Sequence, residues 1–157
     1  MTFQSLITRV FPQPFDNEFK GHPIALWFFY ALTALTLWRS QHHLLAADGG
    51  AQSIASIPLD TYSASAGAAV ISVFALWGLS QLIVGFIYLV VCLRYKSMIP
   101  LMLLLGVFEY LVRLAYVGVF KPIETVETAP GAAMNLPLLI ILVFMFFLSV
   151  RRTEPST

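Results

Sequence analysis

Two residues of opposite charge stand inside an apolar run that has no room for either. Between Ile99 and Phe120 the sequence reads IPLMLLLGVFEYLVRLAYVGVF, with Glu109 near its centre and Arg113 four residues later. On a helix, Glu at i and Arg at i+4 share a face in the favourable order for an ion pair. Such a pair leaves donors and acceptors unspent on both groups. These groups must then face neighbouring helices rather than hydrocarbon. Gln81, near the middle of the preceding apolar run, is a partner that both donates and accepts. Trp77 shares its stripe, and Tyr116 and Tyr30 can reach the same centre from the third and first runs. The candidate site is therefore an intramembrane polar cluster of Glu109, Arg113, Gln81, Tyr116, Trp77 and Tyr30. It suits a hydrogen-bonded polar head, because a carboxylate and a guanidinium offer opposite charges and directed bonds.

The elements around this cluster follow from composition. Of 157 residues, 59% are hydrophobic and 11% charged. A soluble fold of this length could not hide that much apolar surface. A disordered chain would be poor in it. Four spans of about 20 residues use about 80 residues, close to the apolar total. The chain is read as all-α: an integral membrane antiparallel four-helix bundle with spans at about 23–46, 66–93, 99–120 and 132–150. Residues 1–23 form an N-terminal interfacial helix and connector, the spans fill residues 24–150, and residues 151–157 are a tail. In the N-terminal segment Phe3, Leu6, Ile7, Val10 and Phe11 repeat at helical spacing on one face, the pattern of an amphipathic interfacial helix. Pro12 and Pro14 end it.

Within the first span Arg39 is expected at the interface, its long side chain snorkelling outward. His42 and His43 are expected outside the span. The segment 51–65 is expected to pack on the bundle mouth as a compact loop. Pro137 is expected in the first turn or two of the fourth span, with Asn135 capping it or satisfying freed backbone groups. The first span is not read as a cleavable leader, because a polar segment precedes it and an arginine follows its apolar core.

Charge counting sets the topology. With both termini and the turn at residues 94–97 on one side, that side holds Arg9, Lys20, Arg94, Lys96, Arg151 and Arg152. The other holds Arg39 and Lys121. Cations favour the cytoplasmic side, which puts both termini there. A net charge of +1 gives no reason to expect nucleic acid as a partner. One cysteine, Cys92, allows no intrachain disulfide and reads as a small buried hydrophobe. Adjacent His42 and His43 point about 100° apart on a helix and make a poor metal clamp, and no metal site is expected. No phosphate-binding loop, nucleophile elbow or metalloprotease motif occurs.

Several runs resemble a known group. They are Asp48-Gly-Gly-Ala-Gln-Ser-Ile-Ala-Ser-Ile-Pro-Leu-Asp-Thr-Tyr62, Trp77-Gly-Leu-Ser-Gln81, Arg94-Tyr-Lys-Ser-Met-Ile-Pro-Leu101, and Glu109 with Arg113. Together they resemble small bacterial four-helix membrane proteins, loosely similar to the DoxX-like superfamily, over about residues 24–150. The resemblance implies a multi-pass bundle in the bacterial inner membrane. For some DoxX relatives it implies quinone or thiol redox chemistry, although a thiol role is hard to support without a cysteine pair. The functional expectation is a binding or accessory subunit. Its partners would be the lipid bilayer, a lipid or quinone, or another membrane protein. The sequence identifies no cofactor and no catalytic residue. The alternatives are a membrane enzyme using Glu109 as acid/base on a hydrophobic substrate, and an oligomeric transporter or channel.

Overall fold

A computed structural model describes residues 2–151. Met1, Arg152 and the rest of the tail to Thr157 lie outside the described residues. The described chain is helical, with no strand among those residues. Helix α1 (Phe3–Val10) starts at Thr2, whose hydroxyl accepts from the Ser5 N–H. A connector leads to α2 (Pro23–Leu45), where Pro23 takes the first helical position and gives up no hydrogen bond. Helix α3 (Ala64–Arg94) has 31 residues, about 46 Å of rise. A short 3₁₀ turn at Lys96–Met98 leads into α4 (Ile99–Val112).

The apolar run does not continue as one regular helix. A π-helical turn occupies Arg113–Val117, followed by a last short turn, α5 (Gly118–Phe120). Helix α6 (Pro130–Ala133) then precedes α7 (Asn135–Val150). Pro137 lies in the first turn of α7 and has no N–H to give the Ala133 carbonyl, which accounts for the break at Met134. Asn135 makes no capping bond there, contrary to expectation; it is already inside the helix. Two segments, α3 and the 25 residues Lys96–Phe120, are long and apolar enough to cross a membrane.

Helix α2 packs chiefly on α3, and α4 on α7; the two pairs meet mainly through α2 and α7. Close approach of α2 and α3 rests on Gly78. A β-carbon there would lie 2.8 Å from both the His43 Cβ and the Leu44 backbone nitrogen. The densest core lies at the end holding α1 and the last turn of α7, the terminal end. Phe29, Ile99 and Leu103 are fully buried there, alongside Val91, Cys92 and Val150. The connector is tied to this end. The Ser97 hydroxyl donates to the Asp16 carbonyl and accepts from the Asp16 N–H, at 2.9 and 3.0 Å. The His22 N–H donates to the Leu148 carbonyl, and the Arg9 guanidinium to that of Val150, so the last turn of α7 is capped from the N-terminal segment.

At the opposite, loop end, residues 46–58 fold down onto α2 and α3, burying Ala51 and Ile57. Asp48 organises this loop by accepting from the N–H groups of Gly50, Gln52 and Ser53. Burial opposes its charge, but those N–H groups outweigh it and hold the carboxyl at about 2. Gly50 adopts φ +75°, which a side chain would resist. The second loop touches the first through the Val126 N–H, which donates to the Ser56 carbonyl.

Candidate functional site

Glu109 and Arg113 stand one turn apart where α4 gives way to the π turn. The Glu109 Oε1 accepts from Arg113 Nε at 3.1 Å and from Arg113 Nη2 at 2.5 Å. Across the gap, Gln81 of α3 donates to the same oxygen at 3.3 Å. Three donors from two helices thus converge on one carboxylate oxygen. Among the described residues nothing donates to Oε2. The side chains of Arg113 and Glu109 are 24% and 35% exposed, so the pair is sheltered but not sealed.

Trp77 belongs to this cluster as a π platform. The Arg113 guanidinium carbon lies 5.4 Å from the Trp77 ring centroid and 5.2 Å from that of Tyr110. Arg39 places its own guanidinium 5.7 Å from the same indole. It does not snorkel outward as expected; it is half-buried and turned onto Trp77. It makes no ion pair and donates no hydrogen bond among the described residues. His43 likewise lies inside rather than beyond the helical pair. It is buried, its ring centroid is 4.8 Å from that of Trp77, and its Nδ1–H donates to the Gly49 carbonyl at 2.8 Å.

Two of the expected members are elsewhere. Tyr116 is 52% exposed and packs on Phe120, away from Glu109. The π turn is the reason: it inserts one residue into the helical repeat, so everything after Arg113 is displaced around the axis from where an α-helical count puts it. Tyr30 packs edge-on against Trp27 and beside the terminal-end core. On α2 the residues facing the cluster are Leu32, Thr36 and Arg39, spaced i, i+4, i+7. Tyr30 is two residues, about 200°, from that stripe. Thr33, another polar residue of α2, is spent elsewhere: its hydroxyl donates to the Phe29 carbonyl at 2.7 Å and accepts from the Cys92 thiol at 3.3 Å.

Tyr88 lies on the Gln81 stripe, as its spacing on the second run leads one to expect, while sequence reasoning missed Arg39 and Tyr110 as members. The signal for Tyr88 was its place seven residues from Gln81; for Tyr110 it was the place next to Glu109. Thr36, Arg39, Gln81, Tyr88, Glu109 and Tyr110 together line a cleft of about 20 Å³. That is room for about one water molecule, which such a polar lining could hold with several bonds. Pockets for drug-sized ligands measure about 300–1,000 Å³.

A larger cavity, about 430 Å³, lies at the terminal end beneath α1 and the connector. Its hydroxyls are committed to the fold: Ser97 to Asp16, Ser149 to the Phe146 carbonyl, Thr8 to the Gln4 carbonyl. Its lysine, Lys20, pairs with Glu18 at 3.2 Å. The cleft at Glu109 is smaller, but it gathers Glu109, Arg113, Gln81, Arg39 and Trp77 at one point between helices, and it is the stronger candidate. No family model matches this sequence, and no curated protein or solved structure matches it either.

Proposed function

We propose that the protein is a multi-pass four-helix bundle of the bacterial inner membrane, related to DoxX-like proteins, with both termini cytoplasmic. It serves as a binding or accessory subunit. Its intramembrane cluster of Glu109, Arg113, Gln81 and Trp77 engages a polar group presented from the membrane, carried by a lipid, a quinone or a partner helix. What supports membrane residence is the outward surface. Trp27, Trp38, Val73, Leu76, Phe86, Phe108, Phe144 and Phe147 are each more than half exposed, spread over α2, α3, α4 and α7. Water tolerates such continuous apolar surface poorly, whereas lipid solvates it. The outward Phe3 and Ile7 of α1, with Phe11 just past its end, extend that surface at the terminal end, where an interfacial helix would lie.

The observation that carries the binding role is the half-used carboxylate. Glu109 commits Oε1 to three donors and Oε2 to none, beside an arginine with no counter-charge. A water-sized cleft favours recognition at its mouth over turnover of an enclosed substrate. The test is to purify the wild type and the double variant Glu109→Gln/Arg113→Leu from membranes. Co-purifying lipids, quinones and proteins are then identified by mass spectrometry. The variant is expected to lose at least one wild-type companion. An identical inventory would sink the binding role, and release of the wild type by alkaline carbonate would sink membrane integration.

A further inference from the structure

We infer that Arg39 is the contact point for a phosphate group at the mouth of this cleft, with a phospholipid head group as the expected source. This rests on the membrane-embedded reading above and names the ligand class for its site. Count the charges that meet at Trp77. Arg39 and Arg113 both lie within 6 Å of its ring centroid, and among the described residues Glu109 is the one carboxylate bonded to either. The cluster therefore carries one guanidinium in excess. Arg113 spends Nε and Nη2 on Glu109, whereas Arg39 spends none of its five donors on the described residues.

The Trp77 ring holds this guanidinium in place, and none of its nitrogens is sealed off without a partner, so its five donors stay open to a group arriving from outside the helices. Depth identifies that group. Arg39 stands sixteen residues past Pro23, about 24 Å along α2. In a hydrocarbon core about 30 Å thick, that places it near the layer of head groups opposite the terminal end. A phosphate supplies negative charge and several acceptor oxygens in the geometry a planar guanidinium matches. The water-sized space below is too small for the phosphate itself. The group therefore caps the mouth, and the space beneath it suits a bridging water between it and the Glu109 side. Thr36, Tyr88 and Tyr110 line that space.

The experiment uses the full chain, delipidated in detergent, with phosphatidylglycerol added at defined ratios and bound lipid counted by native mass spectrometry. Inorganic phosphate is titrated in a parallel arm. Wild type is expected to retain phosphatidylglycerol, Arg39→Gln to retain it at least tenfold more weakly, and Arg39→Lys to fall between. Arg94→Gln, an exposed cation at the terminal end, should match the wild type. Helical circular dichroism verifies that each variant is folded, and Arg39→Lys keeps the test open should Arg39→Gln fail to fold. If phosphate binds with the same Arg39 dependence while the lipid does not, phosphate recognition stands and the source is the free ion. If Arg39→Gln retains lipid and phosphate as the wild type does, the inference is overturned. The binding role then stands or falls separately on the Glu109→Gln/Arg113→Leu inventory.

Discussion

The two halves of the run from Ile99 to Phe120 have almost the same hydropathy to the eye and opposite surroundings. In the first half Ile99, Pro100, Met102, Leu103, Gly106 and Tyr110 are buried against α2 and α7. In the second, every residue from Leu114 to Phe120 is exposed. The change falls at Glu109, Arg113 and the π turn. Composition therefore does not decide which half packs; the neighbour does. Helix α7 runs for 16 residues against the 22 from Ile99 to Phe120, and its packing falls on α4 with only sparse contact to the π turn.

The largest effect that would break this contrast comes from truncating a leucine in each half. Leu103→Ala removes a fully buried side chain and is expected to cost about 2–5 kcal/mol, while Leu114→Ala is expected to cost less than about 0.5 kcal/mol. Thermal unfolding in one detergent compares them, and equal losses would mean the two halves are packed alike. At the boundary itself, Glu109→Gln leaves Arg113 without a counter-charge. The expected cost is about 1–2 kcal/mol, below that of a sealed pair because Glu109 is 35% exposed. Adding Arg113→Leu should recover much of that loss, and a double variant worse than the single would rule out the ion pair as its source.

A smaller effect sharpens the contrast with the other loop-end element. Asp48 is held below its ordinary value, at about 2. Its stabilisation is therefore present above about pH 4 and lost as pH falls through about 2. Asp48→Asn should melt earlier than the wild type at pH 6, by about 1 kcal/mol after allowance for solvent screening, with the difference closing toward pH 2. A difference that persisted at pH 2 would refute the carboxylate as the loop's organiser. The smallest effect is expected at Tyr116→Phe, within about 0.5 kcal/mol, with the lipid inventory unchanged. A change in that inventory would return Tyr116 to the cluster.

What the sequence made legible was local spacing. An i, i+4 pair in an apolar run needs only the helical repeat, and Gln81 was the one amide placed at a matching depth. Helix ends marked by Pro23 and by the turn after Arg94 were readable for the same reason. The misplacements all depend on something other than spacing. Tyr116 was put on the Glu109 face because no residue type announces a π turn. Arg39 was sent outward because an arginine near a helix end ordinarily finds water; here Trp77 on a neighbouring helix offers a ring instead. His43 was left outside because its burial depends on Gly78 letting two backbones approach, a contact between segments 35 residues apart in the chain. Tyr30 was drawn in by its hydroxyl, although its register on α2 pointed elsewhere.

The capping of α7 by the N-terminal segment carries a consequence for biogenesis. The carbonyls of Leu148 and Val150 take their donors from His22 and Arg9, residues synthesised well over a hundred positions earlier. The segment before α2 must therefore stay available, unfinished, until α7 emerges, and a nick between Arg9 and His22 would be felt as fraying of the last turn of α7.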